Sequence, residues 1–491
     1  MEHHMLLYAS AATLARMIRD REITSRELTE AFFDRIGQFN KRYNALVTLN
    51  REDAMARAAE ADRAVAEGSS LGPLHGVPVT IKDNYRTKGL RTTSGYDRLK
   101  KFVPEDDAEI VRLVKASGAV ILGKTNLSVL AMDMQTDNPV FGRTDNPWDP
   151  SRTPGGSSGG CATALVTGMT PLSFGNDLAG SIRLPSSFCG VYGFKPTYGV
   201  VPLRGVQMDP EDPVDGIRAL ACGGPLARSI DDLELALEVI ASGTDSFGRV
   251  VPLPPANRCF EERPMRIAWC EGFAGVPVDS RIRSAIRSFV AKLEQAGMEI
   301  EQASPQFDFH EVWRNWGSLV GMQGNYRTSN LARWIGAKVT ASALKEVPMH
   351  QEIVGPTSVE KYMRACERQD AYITGMENFM RRFDAFICPV SATPAFEHHA
   401  PGRRFGNFNV YDRPLMVDGR PLHYYMATQA YTTPFSFTES PVLAMPVALS
   451  GDRLPIGIQV VGKRYRDRDL LAVGRQLDRH RDRFDYTVSA D

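Results

Sequence analysis

Two serines in this sequence sit in glycine-rich turns of a kind that can carry a nucleophile. Ser157 lies in GGSSGG (155–160) and Ser181 in GNDLAGS (175–181), and the small residues between them read as a buried helix followed by a strand. Glycine at such turns admits unusual backbone angles and lets N–H groups come close to a reacting atom. Upstream, GVPVTIKDN (76–84) changes to β-branched residues after Gly and Pro, which predicts a strand ending near Lys82, a position suited to chemistry. A serine hydroxyl is a weak nucleophile without an adjacent base. Lysine can be that base only when neutral, so its ordinary pKa of about 10.4 must fall by roughly two to three units through burial. A second hydroxyl, able both to donate and to accept, can relay the proton.

Two short motifs compete for the same chain. GAVILGKT (118–125) matches the phosphate-loop pattern, and GGSSG (155–159) matches the nucleophile elbow G-x-S-x-G. A phosphate loop must curl so that successive N–H groups face one anion. Ala119 to Leu122 are strand formers, and alternating N–H directions in a strand forbid the cradle. Gly118 is better read as the stop of the helix DAEIVRLVKAS (107–117). The elbow needs a hydrophobic strand before it, whereas NPWDPSRTP (146–154) is rich in proline. His398, His399, His423 and His480 follow Ser157, so residue order leaves that reading open.

The elements that must position these residues alternate in type. Residues 11–67 read as helices, with Thr24 or Ser25 before Glu27 as a helix start. AVIL (119–122) reads as a buried strand, and another helix is expected to begin near Asn126. Residues 265–300 read strand, helix, strand, 307–382 mostly helix, and DAFICPV and PIGIQVVG as late strands before a charged terminal helix. Such alternation predicts an α/β layered fold. We expect an N-terminal helical segment over 1–70 packed on a domain over 71–491, with a catalytic core at 71–240, a mostly helical substrate-side region at 305–385 and C-terminal strands and helix at 386–491, all in one compact unit.

Lysine plus arginine equals aspartate plus glutamate at 58 each in the 491 residues, so no net field recommends nucleic acid or an anionic membrane as partner. A small neutral substrate fits better. Seven cysteines, with no C-x-x-C pair, predict reduced thiols and no disulfide scaffold. The N-terminal MEHHM shows no basic-then-apolar leader, and no apolar run approaches the ~20 residues of a membrane span. The expectation is a cytoplasmic protein.

Together, GVPVTIKDN, PGGSSGG, GNDLAGSIRLP, FCGVYGFKPTYG and PIGIQVVG, in that order, resemble the amidase signature family of serine hydrolases over roughly residues 6 to 480. The resemblance implies that family's fold, a large mixed sheet between layers of helices. It also implies a Ser-cisSer-Lys triad: Ser181 as nucleophile, Ser157 as a bridging serine with a cis peptide bond, and Lys82 as base. The backbone N–H groups of Leu178, Ala179, Gly180 and Ser181 would hold the oxyanion. Ser158, Asp177 and Arg183 would support the turn, and Ala131, Met132 and Gln135 in AMDMQ would form a pocket wall. Two departures stand out: Ala179 replaces a frequent glycine, and Asn176 a frequent Ser or Thr. The AGS version resembles the branch that includes cyclic-amide hydrolases.

The expected activity is hydrolysis of an amide C–N bond in a small molecule through an acyl-enzyme, with carbamates, anilides, cyclic amides and esters as further substrates. No cofactor or metal is expected, and a homodimer is a further expectation. The alternative is the glutamine-hydrolysing component of a tRNA-dependent amidotransferase; residues 310 to 380 lack the segment such components usually carry. Cys161 and Cys189 read as packing residues. Trp313, Trp316, Trp334 and Tyr326 are candidates for either a pocket or the core.

Overall fold

The β-branched and apolar runs flanked by Gly and Pro become the strands of one sheet. A computed structural model describes residues 6–206, 220–243, 250–257, 263–325, 328–405 and 408–486. In chain order the strands are β1 Leu46–Leu49, β2 Pro78–Lys82, β3 Val120–Thr125, β4 Leu172–Asp177, β5 Tyr192–Lys195, β6 Cys222–Ala227, β7 Arg266–Trp269, β8 Glu299–Gln302 and β9 Ala385–Pro389. Two small pairs follow, β10 Arg403–Phe405 with β11 Phe408–Val410, and β12 Leu415–Val417 with β13 Arg420–Leu422. β14 Val442–Leu449 and β15 Pro455–Val461 complete the set.

Eleven of these strands form a mixed sheet in the order β1-β3-β2-β4-β6-β5-β14-β15-β9-β7-β8. β2 runs parallel to both β3 and β4, while β4, β6, β5, β14, β15 and β9 alternate in direction. β2, β3, β4, β6, β9 and β15 are buried at every residue, as strands covered on both faces must be. The helix Gly159–Val166 packs on β4 and β6, and the helix Arg183–Cys189 on β14 and β15. The outer strand β8 keeps Glu299, Glu301 and Gln302 exposed, which discourages pairing with another edge.

The helix Ser25–Tyr43 starts where the sequence places it. Thr24 accepts from Glu27 N, and the Glu27 carboxylate accepts from Thr24 N, a reciprocal cap. Two features depart from the reading. β1 interrupts the N-terminal helices and joins the sheet beside β3. No helix begins near Asn126; a single 3-10 turn, Val129–Ala131, stands there. The Asn126 side chain donates to Gly142 O and Thr144 Oγ1 and accepts from Asn138 Nδ2, which folds the chain back on itself. Leu130 and Ala131 take left-handed angles incompatible with a continuing helix.

Candidate active site

Lys82 is the last residue of β2, wholly buried between β3 and β4. Its Nζ lies 2.6 Å from Ser157 Oγ, 2.9 Å from Ser158 Oγ and 2.8 Å from Asn176 Oδ1. Burial disfavours the ammonium and outweighs the opposing pull of Cys161 and Asp177, which lowers the pKa to about 7. Counting hydrogens then orients the group. A neutral amine has two N–H bonds and one lone pair. Asn176 Oδ1 can only accept, so it takes one N–H. Ser158 Oγ has its own acceptor in Asn176 O at 3.5 Å, which leaves it free to take the second. That leaves a lone pair of the neutral amine for Ser157, the shortest of the three contacts, whereas the ammonium would donate to all three.

The glycines around Ser157 serve close packing. The Gly156–Ser157 peptide bond is cis. A Cβ on Gly156 would meet the backbone of Asp133, Met134 and Gln135 at 2.6–2.8 Å, so only glycine fits. Thr136 brackets the loop from outside: its Oγ1 donates to Gly155 O at 2.9 Å and accepts from Gly159 N at 2.9 Å. Ser158 N donates to Ser181 O at 3.1 Å and ties the two serine turns together.

Ser181 sits in the turn between β4 and the helix Arg183–Cys189, and Asp177 organises that turn. The Asp177 carboxylate accepts from Gly180 N at 2.8 Å, Ile182 N at 3.0 Å and Arg183 Nη2 at 2.8 Å. Burial raises the Asp177 pKa, but the charge and hydrogen bonds of Arg183 prevail and hold it at about 2. Arg183 also donates to Thr432 O and Ser436 Oγ. Thr432 in turn donates to Ala179 O at 2.6 Å. Gly180 adopts φ +114°, and a Cβ there would meet the Thr432 side chain at 2.8 Å. Because the Gly180 N–H is taken by Asp177, it is not spare for an anion in this structure. The N–H groups of Leu178, Ala179 and Ser181 meet no acceptor among the described residues.

Residues 27–471 match the model of the Amidase family. This chain belongs to the amidase signature family. A glutamyl-tRNA(Gln) amidotransferase subunit from Geobacillus stearothermophilus is 32% identical over 96% of this chain and 97% of its own. Among solved structures, a chain of an inhibitor-bound vestigial protein complex tied to the evolutionary origins of an s-triazine catabolic enzyme superposes with a TM-score of 0.80 at 26% identity, covering 96% of this chain and 98% of that one. A 6-aminohexanoate cyclic dimer hydrolase bound to its substrate gives 0.77 at 25% identity, over 97% and 98%. The family's C–N hydrolase chemistry and its large mixed sheet thus extend to this chain.

The other sequence candidates disperse. In this amidase signature chain GAVILGKT ends inside β3, and Lys124 is buried with its Nζ on Tyr85 O, Thr87 Oγ1 and Thr92 Oγ1. It has no phosphate cradle to serve. The downstream histidines His398 and His399 are engaged elsewhere: His398 Nε2 lies 3.0 Å from Asp145, and His399 contacts Arg413 O. Trp313 and Trp316 are buried in the core, whereas Trp334 is 52% exposed; Tyr326 lies outside the described residues. Cys161 and Cys189 are buried thiols with raised pKa values.

Within AMDMQ, Met132 is 37% exposed and Ala131 half-buried, but the Gln135 amide is fully engaged. It donates to His399 O at 2.7 Å and accepts from His399 N at 2.8 Å, which turns it toward a neighbouring segment and away from open space. Sequence reasoning gives Asn176 no role beyond a departure from pattern, and misses Thr136 altogether. A threonine beside a glycine-rich loop carries no charge or spacing signal that would single it out.

Proposed function

We propose that this chain hydrolyses the C–N bond of a small, uncharged amide through an acyl-enzyme on Ser181. The observation that carries the reading is the Lys82 to Ser157 contact of 2.6 Å at a lysine whose pKa burial lowers to about 7. Neutral Lys82 takes the proton of Ser157 as Ser157 takes that of Ser181. The Ser181 Oγ then bonds to the carbonyl carbon. The oxyanion is held by the N–H groups of Leu178, Ala179 and Ser181. As the C–N bond breaks, Ser157 passes a proton from Lys82 to the leaving nitrogen. Water attacks the ester by the same relay, and Ser181 recovers its hydrogen. The Lys82 to Ser157 contact is in place, and a Ser157 to Ser181 side-chain hydrogen bond is not found among the described residues, in keeping with catalytic contacts that tighten only with substrate in place. Carbamates, anilides, cyclic amides and esters present the same carbonyl to the same groups.

A preference for uncharged substrate rests on the charges around the turn. Asp177 and Arg183 neutralise each other, and Lys82 serves the relay. None is spare for the carboxylate or ammonium of a free amino acid. The second reading, release of ammonia from glutamine for a partner protein, is favoured by the similarity over nearly the whole chain to the glutamyl-tRNA(Gln) amidotransferase relative. On identity alone that similarity speaks for glutamine more directly than for a small-molecule amide.

One experiment separates the two. Short aliphatic amides, anilides, carbamates, cyclic amides and glutamine are offered to the wild type, Ser181→Ala and Lys82→Ala. Turnover of neutral amides that Ser181→Ala abolishes supports the first reading. Turnover confined to glutamine replaces it with the second. Full activity in Ser181→Ala sinks both.

A further inference from the structure

The segment that brackets the Ser157 loop is itself held by a buried carboxylate outside the proposed triad. Asp133 is 7% exposed and has no cationic partner among the described residues, yet four donors converge on it. Met134 N at 2.7 Å and Tyr424 Oη at 2.6 Å reach Oδ1, while Tyr411 Oη at 2.6 Å and Asn409 Nδ2 at 2.5 Å reach Oδ2. Three of these donors come from residues 409–424, the part of the chain that carries β11 to β13 and enters the helix Tyr424–Gln429. The Tyr411 and Tyr424 rings stack at 3.7 Å, so both phenols approach as one unit. The Gln135 pairing with His399 backbone closes the same junction from its other side.

The clasp faces Ser157 through backbone. Asp133, Met134 and Gln135 fill the space beside Gly156, and Thr136 bonds Gly155 and Gly159. Met132, the exposed member of the expected pocket wall, is the residue immediately before Asp133. Hydrogen bonds to a carboxylate are shorter and stronger than neutral ones, which suits a junction that must not drift. A displacement of about 1 Å at a reacting group can cost on the order of a hundredfold in rate.

We infer that Asp133 is a positioning residue, whose clasp on Tyr411, Tyr424 and Asn409 fixes loop 131–136 and through it the place of Ser157. The inference rests on the proposed role of Ser157 and Ser181. Asp133 is not among the charges that act on Lys82, so the clasp sets geometry and leaves the base's proton affinity alone.

The test uses the full chain and phenylmethylsulfonyl fluoride, which sulfonylates an activated serine as the S–F bond breaks and fluoride leaves. Inactivation rates are measured against pH for the wild type, Ser181→Ala, Asp133→Asn, Tyr411→Phe and Tyr424→Phe, with circular dichroism and Tm for each. Asp133→Asn is expected to slow inactivation about ten- to a hundredfold with an unchanged pH midpoint. Each phenylalanine variant should fall between it and the wild type. A folded Asp133→Asn that reacts at the wild-type rate overturns the inference, as does a pH midpoint that moves lower, since removing an anion that acts on Lys82 would lower the lysine's pKa. Should Asp133→Asn not fold, the phenylalanine variants decide: slowed reaction supports the clasp, and wild-type rates overturn it. A wild type that the reagent does not inactivate, or inactivates equally in Ser181→Ala, overturns the reading of Ser181 itself, an outcome distinct from the others.

Discussion

Lys82 accepts a proton only when it holds none to spare, and its neighbours set the pH at which that happens. Burial leaves the amine with a pKa of about 7, so under the proposed relay, in which the neutral form is the base, kcat/KM should rise with pH through about 7 and level off above it. Asn176 supplies a pure acceptor 2.8 Å from Nζ without adding charge. Asn176→Asp would place an anion there and favour the ammonium, so the rising limb should move to higher pH by about one unit or more. A pH–rate profile of both proteins checks this; an unmoved limb would mean that Lys82 is not the titrating base. The placement of Lys82 at a strand end and of Ser157 and Ser181 in glycine turns was legible in the sequence, because hydroxyl and amine groups at such positions are distinctive types. Asn176 and Asp133 were not, because their roles depend on which atom faces which neighbour, and nothing in residue type records that.

The turn after β4 shows how an element holds Ser181, the proposed nucleophile. Five donors from Gly180, Ile182 and Arg183 converge on one carboxylate, and Arg183 carries the link onward to Thr432 and Ser436. Both Asp177 and Arg183 side chains are fully buried, so removing one strands the other. Arg183→Met should cost about 3–5 kcal/mol of stability in denaturant unfolding, with Asp177 no longer held low. The sign in the wild type follows from Asp177's depressed pKa. Its contribution is complete above the ordinary carboxylate value of 3.8 and is lost as pH falls through about 2, so acid should unfold the Arg183→Met protein at higher pH than the wild type. Elements with a local signature were readable, as in the Thr24 and Glu27 cap or the strand into Lys82. The helix expected at Asn126 failed because that asparagine spends its side chain on Gly142, Thr144 and Asn138, contacts made by residues the local pattern does not contain.

At the scale of the whole molecule, the sheet gathers strands from residue 46 to residue 461, and its order could not be read in advance because neighbours such as β5 and β14 lie far apart in the chain. Charge balance could be read, and it carries a consequence for substrate. Equal numbers of basic and acidic residues give no long-range field to steer an ion. A neutral amide should therefore show a kcat/KM that changes by less than about twofold when ionic strength rises from about 0.01 to about 1 M, where the screening length falls from about 30 to about 3 Å. A charged acyl or amine group held by an ion pair would instead lose affinity over the same range. Run across the amide panel, the salt series thus reads substrate charge independently of which amide is turned over. A substrate whose KM climbs steeply with salt would place an unpaired charge in the pocket, contrary to the neutralised surroundings of Ser181, and would move the balance toward the glutamine reading.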